Sequence, residues 1–129
     1  MPFFNGMTYQ KEPNNMPLTC FIQYEIDPTK KHHFETYARN WGQAIPRCGV
    51  DLIGYFAPHE GSTTLAYGVY NVASLADYEA YRARLAMDPL GKENYEFAQE
   101  EKFIRSESRT FLKLASAPHG TFNGALIKP

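Results

Sequence analysis

The sequence predicts an α+β fold, in which a small antiparallel sheet is covered by helices. Four segments show the two-residue alternation of strands, and the segments between them carry apolar residues three and four apart, as helices do. Two Asp-Pro pairs, Asp27-Pro28 and Asp88-Pro89, predict helix starts, because Asp caps the first turn and Pro fits the first helical position. With 129 residues and 43% hydrophobic content, the chain has room for one domain with one core.

The first strand is predicted in LTCFIQYEID, residues 18–27. Its alternate side chains form one apolar face, and Phe21 lies on the other face with polar neighbours. The first helix follows Asp27 and is predicted to end at Pro46, helped by Gly49. Its apolar stripe, at spacings of three and four, is Phe34, Tyr37, Ala38, Trp41 and Ile45.

Strands two and three are predicted at residues 50–56 and 63–72, joined by the turn APHEGST. Both faces of these strands are apolar. In the third strand Leu65, Tyr67 and Val69 share one face, opposite Ala66, Gly68 and Tyr70. In the second, Ile53 and Tyr55 are expected on one face and Leu52 and Phe56 on the other.

A second helix is predicted in SLADYEAYRARLAMDP, where Ser74 and Asp77 form an S-x-x-D capping pattern. A further helix is expected from Asp88-Pro89 to about Phe103, and a last strand in SESRTFLKLA, residues 106–115. The resulting order of strands and helices is the ferredoxin-like βαββαβ arrangement, with a four-stranded antiparallel sheet and helices on one face. We expect this domain at residues 18–115, a flexible N-terminal arm at 1–17 and a C-terminal tail at 116–129.

Strands that are apolar on both faces require a second cover, because helices shield only one face. An exposed apolar face would exceed the patch of a few hundred Å² that monomers usually tolerate. Burying on the order of 1,000 Å² would contribute about 25 kcal/mol before the costs of association. The sequence therefore predicts a homodimer through the sheet face, forming a dimeric α+β barrel. A ligand lying on the sheet is the alternative cover.

Charge and composition argue against several classes of partner and of cellular location. The formal net charge of −1 gives no reason to expect a nucleic acid or an anionic membrane as a partner. No segment approaches the 18 to 20 consecutive apolar residues of a membrane span, and the N-terminal sequence lacks a signal-peptide pattern. We therefore expect a cytoplasmic protein in which Cys20 and Cys48 are free, buried thiols.

The central part of the sequence resembles the NIPSNAP family. The matching residues lie in the second and third strands, the turn between them and the helix that ends in Asp-Pro. They are Gly49, Leu52, Gly54, Phe56, Gly61, Tyr70, Ser74, Leu75, residues 81–85, Asp88 and Pro89. ESRTFLKLA is similar to the strand that closes these domains. The resemblance implies a dimeric α+β barrel and supplies no established reaction.

This chain departs from the family pattern at two points. Family members commonly carry a His and a Trp on the third strand, where this chain has AYGVY. An aromatic residue usually follows the Asp-Pro pair closely, whereas Leu90-Gly91 stands here. If those aromatic residues contact a ligand in other members, this chain is expected to bind a different one.

No motif predicts a nucleophile, a metal site or a cofactor. Cys48 follows Arg47, which could stabilise a thiolate, but a packed thiol explains it as well. His32 and His33 are adjacent on a helix and cannot chelate one ion as an i, i+4 pair can. The P-loop and dinucleotide-binding patterns are absent. We expect no cofactor and no metal.

Aromatic residues and one arginine give the strongest candidate site, a ligand cleft between sheet and helices. An aromatic-walled cleft with a few polar groups suits a small organic ligand, and an arginine there would bind a carboxylate. The alternative is that the tyrosines are core residues and the arginine reaches solvent. The candidate residues are Tyr24, Trp41, Tyr55, Tyr67, Tyr78 and Arg82.

Three functions remain open from sequence. The first is a dimeric protein of unassigned reaction that binds a small organic ligand. The second is a cofactor-independent oxygenase or isomerase acting on an aromatic or carbonyl compound, an analogy from fold. The third is a protein-interaction scaffold. No general base stands out, which favours the non-catalytic alternatives.

Overall fold

Four strands and three α-helices follow one another in the predicted order in the computed structural model, which describes residues 17–117. The fold class is therefore confirmed as α+β. The arm predicted at 1–17 and the tail at 116–129 lie almost wholly outside the described residues. The elements are β1 (Leu18–Ile26), a 3-10 turn (Pro28–Lys30), α1 (Lys31–Arg47), β2 (Asp51–Phe56), β3 (Leu65–Val72), α2 (Leu75–Met87), α3 (Pro89–Glu101) and β4 (Ile104–Lys113).

The four strands form one antiparallel sheet in the order β2-β3-β1-β4. β1 lies inside the sheet and pairs with β3 on one side and β4 on the other, so that Ile22 lies opposite both Gly68 and Arg109. This is the strand order of the predicted ferredoxin-like arrangement.

One face of the sheet packs against the helices and forms the core. Cys20, Ile22, Tyr24 and Ile26 of β1 are all buried, as the two-residue alternation predicts. Ala66 and its alternating neighbours in β3 are buried with them. The core is completed by side chains of the helix stripe and the loop before β4, namely Phe34, Tyr37, Trp41, Ile45 and Phe103.

The predicted faces of β2 are wrong, because its register shifts between Leu52 and Gly54. Leu52 lies opposite Tyr70, and Tyr55 lies opposite Gly68. Leu52 and Tyr55 both pack against the core, whereas Ile53 is 55% exposed. An irregularity of this kind adds a residue to one strand and breaks the alternation that the prediction assumed.

Helix boundaries follow the predicted caps, with three corrections. Asp27 caps the 3-10 turn that begins at Pro28, and α1 begins only at Lys31. The side chains of Ser74 and Asp88 cap α2 and α3 as expected. α1 continues through Pro46 to Arg47, because Pro46 lies in the last turn and removes only the N–H that would bond the exposed Gly42 carbonyl. α3 ends at Glu101 rather than near Phe103, because Lys102 adopts the left-handed conformation (φ 54°) and its N–H bonds the Ala98 carbonyl.

No helix within residues 17–117 is both long enough and apolar enough to cross a membrane.

Candidate functional site

A cavity of about 710 Å³ opens among all three helices and the inner face of β3 and β4. Its volume lies in the range typical of small-molecule sites, about 300–1,000 Å³. Buried aromatic and aliphatic side chains form its floor, and exposed polar side chains form its rim. The floor residues are Tyr37, Trp41, Ile45, Tyr70 and Tyr81.

The Trp41 side chain lines the cavity and carries a buried N–H. Its ring meets the Tyr37 ring edge to face, with centroids 5.5 Å apart and an interplanar angle of 78°. The indole Nε1 is buried and has no hydrogen-bond partner. Burial raises the pKa of the Tyr37 hydroxyl, and the nearby Trp41 N–H partly opposes that rise. The two groups do not have the geometry of a hydrogen bond. A buried donor without an acceptor is unusual in native structures.

Tyr70 and Tyr81 supply neutral phenols to the floor. Their rings lie 5.5 Å apart and are tilted by 61°. Burial raises the pKa of both hydroxyls, and their mutual proximity raises that of Tyr70 further. Both therefore stay protonated at physiological pH and offer O–H groups that donate or accept hydrogen bonds.

The rim is predominantly cationic. Four basic side chains, Arg82, Lys92, Lys102 and Arg109, line the cavity together with one carboxylate, Glu107. Arg109 Nη2 lies 2.8 Å from Glu107 Oε2. For the other three cations, the described residues provide no carboxylate oxygen within 4.0 Å.

β4 places Glu107 and Arg109 on the helix side of the sheet. They lie opposite Tyr24 and Ile22 in the register, and both of these are buried against the helices. Positions two residues apart share a face, so β4 presents a carboxylate and a guanidinium where the neighbouring strand presents apolar groups. Polar residues at inward positions are the signal that could have located this side of the cavity from sequence.

Arg82 is held at the rim by Tyr78. Its Nη1 donates a hydrogen bond to the Tyr78 hydroxyl, and its guanidinium carbon lies 5.6 Å from the Tyr78 ring centroid. Tyr78 is buried and its ring lies 4.8 Å from that of Phe111. Only one of the five guanidinium N–H groups is used in this contact, so Arg82 is positioned and retains donors for a ligand.

The six predicted residues divide into three groups. Trp41 and Arg82 line the cavity, and Tyr78 supports Arg82. Tyr24 and Tyr55 lie in the core, where their hydroxyls are 3.2 Å apart, and they do not line the cavity. Tyr67 lies on the opposite face of the sheet, with its ring 5.4 Å from that of Phe21.

Most of the lining was missed by sequence reasoning. The sequence pattern gives Tyr70 only a strand face and a place in the family match, gives Tyr81 only a place in that match, and points to none of the charged residues Lys92, Lys102, Glu107 and Arg109. A basic residue on a surface helix is ordinary in any sequence, so Lys92 and Lys102 gave no distinguishing signal.

The thiols are free and buried, as predicted. Burial raises the pKa of both Cys20 and Cys48, which disfavours the thiolate a nucleophile needs. Arg47 pairs with Asp88 instead of stabilising a Cys48 thiolate.

Histidines do not form a metal centre in the described part of the chain. Among residues 17–117, no group of three or more His, Cys, Asp or Glu side chains is placed to hold a metal ion. His33 stacks on Phe97, with centroids 5.6 Å apart, and its Nε2 lies 3.3 Å from Glu101 Oε1.

Comparison with known proteins decides the family. The family model for NIPSNAP matches residues 19–118. The chain belongs to the NIPSNAP family. A crystal structure of a NIPSNAP family protein from Agrobacterium tumefaciens is 25% identical, with a TM-score of 0.63, and the match covers 80% of this chain and 90% of that one.

Other solved structures share the fold. A NIPSNAP-like domain protein from Burkholderia xenovorans, described as uncharacterized, is 20% identical with a TM-score of 0.64 over 81% of this chain and 90% of that one. A Nitrosomonas europaea protein provisionally described as an antibiotic biosynthesis monooxygenase is 10% identical, with a TM-score of 0.59 over 77% and 99% of the two chains. No curated protein matches the chain significantly.

Proposed function

We propose that this NIPSNAP-family protein is a homodimer that binds a small organic molecule in the cavity between its sheet and helices. The observation that carries the proposal is the aromatic floor of a cavity of about 710 Å³, a volume in the range typical of small-molecule sites.

The floor composition supports an organic ligand with an aromatic or flat apolar body. Edge-to-face contacts already connect Trp41 to Tyr37 and Tyr70 to Tyr81. Aromatic rings pair favourably in such geometries, by about 0.5–1.5 kcal/mol beyond the area they bury. A flat ligand would add further partners of the same kind.

The dimer is supported by the sheet face that the helices leave uncovered. Phe21, Leu65, Tyr67 and Val69 lie there only partly buried, and Phe56 is 50% exposed. Four strands about 4.8 Å apart and eight residues long span about 500 Å² of sheet. Two such faces reach about 1,000 Å², the smallest area expected of a specific interface. A second copy of the same sheet offers a matching surface for it.

A cofactor-independent oxygenase or isomerase is the second candidate. It is favoured by Glu107, a carboxylate on the cavity lining that could accept a proton from a substrate. Its contact with Arg109 at 2.8 Å disfavours that role, because the guanidinium occupies a carboxylate oxygen that would have to accept the proton. A protein-interaction scaffold, the remaining alternative, would leave the cavity unused.

Native mass spectrometry of protein purified without denaturation tests the proposal. We expect the mass of two chains, and an additional mass that is lost on denaturation. Trp41 is the single tryptophan, so its fluorescence should change when the copurified compound is removed by dialysis and added back. A ligand-free monomer whose Trp41 emission responds to no added aromatic compound would refute the proposal.

A further inference from the structure

From the charges around the cavity, we infer that its ligand is an organic anion, a carboxylate attached to an aromatic body. This inference rests on the proposed function, since it assigns a chemical class to the ligand of the same site. Four cationic side chains and one carboxylate line the cavity, although the whole chain carries a formal charge of −1. The positive charge is therefore concentrated at this site and does not reflect the composition of the protein.

The cationic side chains lie at the exposed rim, where the charged head group of a ligand would lie. The floor is made of buried aromatic residues, and the charged side chains occupy the exposed rim. A molecule with an apolar body and a terminal carboxylate would place its rings on the floor and its charge at the rim. A carboxylate binds arginine through two parallel hydrogen bonds, which lysine cannot reproduce.

Arg82 and Arg109 are the best candidates for the carboxylate contact. Arg82 is anchored by Tyr78 and has free N–H groups. Arg109 is neutralised in the absence of a ligand by Glu107, at 2.8 Å. Because both members of this pair are about one third exposed, their contact is weak and water-screened. A ligand carboxylate can therefore compete with Glu107 for the guanidinium.

The backbone conformation of Lys102, at the same rim, is a second and independent observation. Lys102 is the one non-glycine residue of positive φ in the described chain, at φ 54°. The left-handed conformation strains residues that carry a Cβ, and helix ends of this kind usually carry glycine. A lysine at this position has a conformational cost, and its side chain lines the cavity. A role for its positive charge in binding an anionic ligand explains why a lysine stands at a position that favours glycine and why this lysine lines the cavity.

The test compares matched ligands that differ only in charge. Naphthalene-2-carboxylate and naphthalene-2-carboxamide have nearly the same shape, and Trp41 fluorescence reports the occupancy of the cavity for both. We expect the carboxylate to bind at least about tenfold more tightly, since a charged hydrogen bond contributes that much. We also expect added salt to weaken the binding of the carboxylate and leave that of the carboxamide nearly unchanged.

Variants identify the side chains responsible. Arg82→Gln and Arg109→Gln should each weaken carboxylate binding several-fold and leave carboxamide binding nearly unchanged. Arg105→Gln is the matched control, because Arg105 is on the same strand as Arg109 and does not line the cavity. Lys102→Gly should weaken carboxylate binding and leave carboxamide binding nearly unchanged, which loss of a purely structural lysine would not do, and relief of the left-handed strain should raise the melting temperature by a few degrees.

The outcomes separate this inference from the proposed function. Equal binding of the two compounds, with Arg82→Gln and Arg109→Gln behaving like Arg105→Gln, would overturn the anion assignment and leave ligand binding in place. If neither compound changes the Trp41 emission, nor do the benzene and biphenyl pairs of the same design, the proposed ligand site fails and this inference with it.

Discussion

Arg47 and Asp88 form a bidentate ion pair that joins the last turn of α1 to the first turn of α3. Arg47 Nε lies 3.0 Å from Asp88 Oδ1, and Arg47 Nη2 lies 2.9 Å from Oδ2. Asp88 Oδ2 also accepts the Gly91 N–H at 2.9 Å. One carboxylate thus caps a helix and fixes its direction, and Gly91 at that helix start lies on the cavity lining.

Two substitutions at Asp88 should separate the cap from the ion pair. Asp88→Asn keeps an oxygen that can cap α3 and loses the ion pair, whereas Asp88→Ala loses both. We expect Asp88→Ala to lower the melting temperature by roughly 4–8 °C, and Asp88→Asn by less. Glu96→Gln, an exposed position of the same helix, is the control and should have little effect. Equal losses for both Asp88 variants would show that the cap contributes nothing.

The same carboxylate should make stability depend on acidity. The Arg47 guanidinium, with the Gly91 N–H, holds the Asp88 pKa below its ordinary value of 3.8. The contribution of ionised Asp88 to the free energy of unfolding is therefore complete above its unfolded-state pKa and is lost as the pH falls through its folded-state pKa. In denaturant titrations, the stability difference between wild type and Asp88→Asn should be largest near about pH 6 and shrink toward about pH 2. A difference that grows on acidification would contradict this assignment.

Asn94 should be the most sensitive polar residue of the core. It is 0% exposed, donates to the Tyr37 carbonyl at 3.0 Å and accepts from Asn40 Nδ2 at 2.9 Å. Asn94→Ala leaves the partly buried Asn40 amide without its acceptor and removes the hydrogen bonds of a fully buried side chain, so we expect a loss of about 1–3 kcal/mol in the free energy of unfolding. Glu93→Ala, the exposed neighbour, should change it by less than about 0.5 kcal/mol. Urea unfolding of the three proteins provides the comparison.

Two glycine-to-alanine substitutions should change the free energy of unfolding in opposite directions. A Cβ at Gly68 would lie 2.7 Å from the Tyr55 ring, whereas one at Gly42, inside α1, would meet nothing within 4 Å. Gly68→Ala should cost about 1–3 kcal/mol because Tyr55 is held between neighbouring rings and must move. Gly42→Ala should stabilise by about 0.5–1 kcal/mol through helix propensity. Adding Tyr55→Leu to Gly68→Ala should recover part of the loss if the ring is the obstacle.

Tyr67 tests the proposed dimer. It lies on the uncovered face of the sheet beside Phe21, so Tyr67→Arg would place a charge in the proposed interface. We expect sedimentation velocity to show a monomer for this variant and a dimer for the wild type. Met87→Arg, which adds the same charge at an 81% exposed position on α2, should remain dimeric. A wild-type monomer at micromolar concentration would exclude the sheet-to-sheet dimer.

The strands, the helices and most of their buried faces were predictable because they depend on local repeats. The alternation in β1 and β3 and the apolar stripe of α1 are set by the two-residue and 3.6-residue periods of the backbone. The caps at Ser74 and Asp88 were predictable for the same reason, since a cap acts within three residues. The predicted faces of β2 were wrong because the register shift beside Ile53 interrupts the two-residue alternation.

Sequence by itself determined which segments become strands and helices, which faces of β1, β3 and α1 are buried, and membership of the NIPSNAP family. Only the tertiary structure decided that Tyr24 and Tyr55 meet in the core while Tyr67 lies on the far side of the sheet, and that Arg82, Lys102 and Arg109 surround one cavity. The physical reason is distance along the chain. Periodicity orients a side chain relative to its own element, whereas its neighbours from other elements depend on strand register, on helix packing and on where each helix ends.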